Sequence, residues 1–235
     1  MEEKFQCRKC GDCCRFFGET DNWLPLFEWE KDKMKELAEQ KKISFEAKPI
    51  ELIFDKKSNL AFFINYGLKG PCPFLINNKC SIYEDRPLIC KAFPMGKNPY
   101  FVEEIMNINL PNCKSFTKNE WSLTFKEILG DESIPITRQD MAKKYKKLFG
   151  EECFFNSFII GQIKIRISNI KEELIQSKKI KARKINKFDY EKYNAVPFFE
   201  FLRLKGLLNQ EQKFNLINSL TDYNQIKNII FSQGF

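Results

Sequence analysis

The sequence predicts an α+β protein, and three observations carry that expectation. All but one of the nine cysteines and all but one of the ten prolines fall before residue 136, so the first half is rich in turns. Short apolar runs separated by turn residues read there as strands. After about residue 137, apolar residues recur at helical spacing. An irregular first region with short strands and one or two helices is expected to pack on a helical second region, with boundaries at 1–130 and 131–235.

The elements follow in order. Pro25 precedes 26–40, where Leu26, Phe27, Met34 and Leu37 share one side, so a helix is expected with proline near its start. Segments 49–54 and 60–65 read as two strands joined by the turn Asp55-Lys-Lys-Ser-Asn59. Segments 74–76 and 79–82 read as a small hairpin across Asn77-Asn78, because asparagine tolerates the positive φ of a tight turn. Asp85-Arg86-Pro87 reads as a helix start, with proline at the first helical position. Thr137-Arg-Gln-Asp140 has capping-box spacing ahead of a helix to about Phe149. Phe155, Ile159, Ile163, Ile167, Ile170 and Leu174 then share one helical face. A final pair of helices is expected over 197–208 and 210–232.

Composition narrows the chemistry. With 43% hydrophobic and 30% charged residues the chain belongs with folded proteins rather than disordered ones. The 24 phenylalanines must fill much of its core. The N-terminus is charged, and no apolar run reaches the roughly 18–20 residues that span a bilayer. A cytoplasmic location is therefore expected. Cytosolic thiols stay reduced, so nine cysteines point to metal binding rather than to disulfides. The chain has no histidine, which removes imidazole–metal sites and Ser-His or Cys-His catalytic pairs. The formal charge of +8 counts no thiolate, and metal-bound thiolates would consume much of it.

The cysteines form a pattern. Cys7-Arg-Lys-Cys10-Gly-Asp-Cys13-Cys14 supplies a C-x2-C-x2-C run in which the backbone can fold round one metal. Further ligands must come from Cys72, Cys80, Cys90 and Cys113. The run echoes bacterial ferredoxin spacing, and Cys72 is followed by Pro73, as a late ferredoxin cysteine is. Zinc ribbons use two separated C-x2-C knuckles, and this chain has one such region. The spacing leans to an iron–sulfur cluster, of the 4Fe–4S type, and leaves zinc open. The plainer reading is that some of these cysteines are small buried apolar residues. We apply it to Cys153, which sits among Phe154, Phe155 and Phe158.

These motifs resemble a known family. Cys7 to Arg15 is similar to the opening signature of the YkgJ-type cysteine-cluster proteins. Pro71-Cys72-Pro73-Phe74-Leu75, Lys79-Cys80-Ser81-Ile82-Tyr83 and Arg86-Pro87-Leu88-Ile89-Cys90-Lys91-Ala92-Phe93-Pro94 resemble its second signature. The resemblance covers about residues 5–113. It implies a zinc- or iron-chelating domain whose metal-binding set includes Cys7, Cys10, Cys13, Cys14, Cys72, Cys80 and Cys90. Cys113 fits the late cysteine that often follows. Lys91 stands where the family often has arginine, which keeps the charge and loses the planar fork. One branch, the flagellin lysine N-methylases, is linked to methylation of lysine side chains.

Three function classes follow. In a binding module, metal staples the first region and the helical C-terminal region meets a protein partner. A lysine-methyltransferase-like enzyme rests on the resemblance alone, since no two glycines have G-x-G spacing. Electron transfer or metal handling would use the same thiolates. Arg86 pairs with thiolate charge or a substrate anion, unless it only starts a helix. Arg15 and Lys91 either offset thiolate charge or are simply solvated. Lys178–Lys187 carries six basic residues in ten, which reads as a solvated linker or helix end rather than a nucleic-acid site. Neither nucleic acid nor a membrane is an expected partner.

Overall fold

A computed structural model describes residues 7–19, 23–94, 138–185 and 192–232. They fold as helices and small sheets, the α+β class that the sequence predicts. In chain order the elements are α1 (Asp12–Glu19), β1 (Leu24–Leu26), α2 (Glu28–Gln40), β2 (Ala47–Ile50), β3 (Ile53–Asp55), β4 (Leu60–Phe63), β5 (Asn65–Leu68), β6 (Leu75–Ile76), β7 (Lys79–Cys80), α3 (Leu88–Lys91), α4 (Arg138–Gln176), β8 (Ala182–Lys184), β9 (Val196–Pro197), α5 (Phe198–Leu204), α6 (Gln210–Thr221) and α7 (Tyr223–Ser232). They belong to two compact units. The first comprises Met1–Asp21, Gly70–Gln162 and Asn224–Phe235, and the second Asn22–Lys69 and Ile163–Tyr223. Among the described residues no helix is long and apolar enough to cross a membrane.

The second unit holds two sheets. One runs β1-β5-β2, all antiparallel, and the other β8-β3-β4-β9. The helix expected from Leu26 begins instead at Glu28. Pro25 lies in β1 opposite Gly67, because Leu24 and Leu26 alternate into the core on either side of it. A sheet edge tolerates the missing N–H. The Phe27 N–H donates to the Glu30 carboxylate at 3.1 Å, which fixes the start of α2. The strand expected over 49–54 is two strands, since Glu51 takes a left-handed φ of 58° and sends the chain from one sheet to the other. Segment 60–65 likewise divides into β4 and β5. The turn at 55–59 forms as expected and joins β3 to β4.

Aromatic packing closes this unit. The Phe62 ring stacks on Phe201 at 4.3 Å and meets Phe198 at 5.4 Å, all three being fully buried or nearly so. Part of the basic run becomes β8 at a sheet edge, with Ile180 buried just before it. Lysine on an edge discourages pairing with another chain. The second of the two expected closing helices is divided at Asp222 into α6 and α7. Asn209 and Gln212 exchange hydrogen bonds at 2.8 and 2.9 Å and so cap α6.

In the first unit Phe74, Tyr145 and Phe154 have no exposed surface. The Phe154 ring lies 4.9 Å from Phe158. Helix α4 is interrupted at Gly150, where φ is 81° and ψ is 161°, next to the expected helix end at Phe149. The capping residue expected at Thr137 lies outside the described residues. The apolar stripe is buried at Phe155, Ile159, Ile163, Ile167 and Leu174, with Ile170 half-buried.

Candidate metal centre

The cysteine run is seated by its neighbours in the chain and by one hairpin. Gly11 has a φ of 75°, and a Cβ there would collide with Leu75 Cδ1 and meet the Asn78 carbonyl oxygen at 3.0 Å. Only glycine combines that backbone with that approach. Its carbonyl accepts from the N–H groups of Cys14 and Arg15 at 3.0 and 3.1 Å, which starts α1. The Arg15 guanidinium donates to Asn78 Oδ1 at 2.7 Å and to the Cys10 carbonyl at 3.2 Å, and it pairs with Asp12. Arg15 therefore ties the loop to the hairpin rather than standing free in solvent.

The hairpin is the one the sequence predicts. Leu75 pairs with Cys80 across Asn77 and Asn78, whose φ values are 48° and 61°. The Cys72 N–H donates to the Cys14 carbonyl at 3.1 Å, joining the second cysteine segment to the first. Pro87 caps α3 from one position before it, so Cys90 lies within a single short helix.

Cys7, Cys10, Cys13, Cys14, Cys72, Cys80 and Cys90 all belong to the first unit and are free thiols. The Cys13 side chain lies against that of Cys14, and that of Cys14 against Cys72. Cys14 and burial push the Cys13 thiol far up from its ordinary value. Cys14 is pushed up to about 12: Cys13 opposes the rise, and Cys72 and burial outweigh it. Burial raises Cys90, reinforced by Cys13, Cys14 and Cys80. Burial also raises Cys80, against which Arg86 acts. Cys10 is turned aside, its Sγ donating to Asp12 Oδ2 at 3.1 Å. Cys113 lies outside the described residues.

A cavity of about 500 Å³ borders these thiols. Cys7, Cys13, Cys90, Arg86, Lys91 and Phe149 are among its walls. The Tyr83 ring lies between two cations, with Arg86 3.6 Å and Lys9 4.1 Å from its centre. Burial is the main cause that pushes its hydroxyl up to about 12, and the neighbouring Cys7 adds to the rise. Arg86 Nε donates to the Tyr83 carbonyl at 2.6 Å, and Nη2 stands 3.6 Å from Glu152. Arg86 precedes a helix, with Pro87 at the cap rather than at the first helical position, and it also lines the thiol cavity. Cys153 is buried, as its phenylalanine neighbours predict, and its Sγ donates to the Ala92 carbonyl at 3.1 Å. It nevertheless lines the same cavity. Sequence reasoning quoted Tyr83 within a motif without giving it a role, and it singled out neither Lys9 nor Glu152. The aromatic clamp depends on a loop approach that no spacing reports.

The donor set suits a soft metal. Crowded thiols resist ionising together, and a cation among them relieves that repulsion. Ser81 Oγ, next in the chain to Cys80, is buried with no hydrogen-bond partner among the described residues, as befits a group beside an ion or cluster. Among those same residues, no group of three or more His, Cys, Asp or Glu side chains is placed so as to hold a metal ion.

Comparison with known proteins agrees with the motifs. Residues 6–119 match the CxxCxxCC family model, described as "Putative zinc- or iron-chelating domain". No curated protein and no solved structure matches the chain. The match spans the segment that carries Cys7 to Cys113 and agrees with the resemblance read from its motifs.

Proposed function

We propose that this domain binds an iron–sulfur cluster of the 4Fe–4S type through thiolates drawn from Cys7, Cys10, Cys13, Cys14, Cys72, Cys80, Cys90 and Cys113. The observation that carries the reading is that cysteines from separate segments are brought together: the Cys72 N–H donates to the Cys14 carbonyl at 3.1 Å, and Cys7, Cys13 and Cys90 line one cavity. The C-x2-C-x2-C spacing and Cys72-Pro73 favour iron over zinc. A bound cluster supplies one-electron chemistry, whereas zinc would supply a structural cross-link. Around it, Arg86 and Lys91 offset thiolate charge, and the neighbouring Tyr83 orients Cys7. Such thiols need a reducing compartment, so we assign the protein to the cytoplasm.

Anaerobic purification with metal and sulfide analysis tests the reading. We expect brown protein with broad absorbance near about 400 nm. Colourless protein carrying stoichiometric zinc would overturn the preference for iron. Cys10→Ser should lose metal and Cys153→Ser should keep it, because the Cys153 thiol is spent on the Ala92 carbonyl. Equal loss in both variants would overturn the ligand set.

A further inference from the structure

The cavity beside the thiols has features that a purely structural metal site does not need. Its volume of about 500 Å³ lies within the range of small-molecule sites, roughly 300–1,000 Å³. We propose that it binds a small molecule bearing a carboxylate or phosphate, held at its anionic end by Arg86 and Lys91, with its other end toward the sulfurs of Cys7, Cys13 and Cys90. The proposal deepens the metal reading and rests on it for what occupies the sulfur wall.

Arg86 is built as an anchor. Its side chain is only 12% exposed, and it is fixed by the Tyr83 carbonyl on Nε and by the Tyr83 ring beneath its plane. A guanidinium carries five N–H donors, and these contacts leave part of the fork for a ligand. Its approach to Glu152 is long, at 3.6 Å, and Glu152 is 61% exposed, so that pairing is weak. A planar fork held in place matches the two oxygens of a carboxylate or phosphate.

The remaining walls agree with an anionic guest. Glu151 is matched by Lys146 at 2.6 Å, so it does not cancel Lys91. Phe93 and Phe149 supply apolar surface for the body of a ligand. Helix α4 breaks at Gly150, in the cavity wall, with a backbone conformation confined in practice to glycine. Such conformations gather at ligand sites, because the surrounding structure must hold them.

The test is calorimetric titration of the full metal-loaded chain with inorganic phosphate and, separately, with succinate. Saturable binding of either probe is expected, and the tighter one identifies the class of anionic group. Arg86→Gln should weaken binding by about tenfold or more, and Lys91→Gln by severalfold, with affinity measured on metal-loaded chain in each case. Lys91→Gln carries the test if Arg86→Gln does not fold. Absence of saturable binding to the loaded wild type overturns the proposal. So does unchanged affinity in both variants, or an Arg86→Gln chain that loses metal and keeps its affinity for the probe, since Arg86 would then serve thiolate charge alone. Metal analysis separates this failure from failure of the metal reading. A chain that takes up no metal defeats that reading, and a chain that holds metal but ignores both anions defeats only this one.

Discussion

Asp55 has no exposed surface, and donors from four residues converge on its carboxylate. Ser58 Oγ reaches it at 2.6 Å, the Lys181 and Lys57 N–H groups at 2.8 and 3.1 Å, and Lys205 Nζ at 3.3 Å. Burial pushes its carboxyl up, but these donors together outweigh that and lower it to about 2. Its folded value is thus below the ordinary value of about 3.9. The stability it contributes is complete above about pH 4 and is lost as pH falls through about 2. Urea unfolding across that window should show a decline on the order of 2 kcal/mol that Asp55→Asn removes. An unchanged decline in Asp55→Asn would refute this account. The turn at 55–59 was legible because its sequence is local. The partners at Lys181 and Lys205 were not, since they lie more than a hundred positions away. Cys153 was legible for the opposite reason, as its own phenylalanine neighbours determine its burial.

At the scale of elements, apolar alternation located the strands but not their changes of sheet. Nothing in 49–54 marks Glu51 as left-handed, because only pairing with two different partners demands it. Pro25 misled for a similar reason, since proline suits a helix start and a sheet edge equally well. The hairpin at β6 and β7 was legible because two asparagines in succession satisfy a turn with two positive φ angles. That hairpin also seats the first cysteines, and Gly11 is the contact point. Gly11→Ala should destabilise the first unit by about 1–3 kcal/mol, through crowding against the hairpin. It should weaken metal retention against a chelator as well. Wild-type stability and wild-type retention in this variant would show that the loop seats elsewhere.

For the whole molecule, sequence reasoning found the cysteine-bearing segment because its ligands recur within a few short motifs. The interleaving of two units was hidden, because no composition shift accompanies it. The first unit draws on three chain segments and the second on two. The second has its own aromatic core around Phe62, Phe198 and Phe201, and no cysteine. Metal removal should therefore affect them unequally. With the metal chelated under reducing conditions, limited proteolysis should accelerate within 7–19 and 70–94 while 23–69 keeps its protection. Equal acceleration in both would argue that metal supports the entire chain.

The interleaving also sets an order in time. Ile226 is 1% exposed, and Lys227 lies 5.6 Å from the centre of the Phe155 ring, so the turns of α7 help complete the cysteine-bearing unit. A ribosome adds about 5–20 residues per second, so the thiols of Cys7 to Cys14 emerge roughly 10–40 s before those turns do. During translation the cysteines at 7–14 are therefore made well before the helix that helps complete their unit.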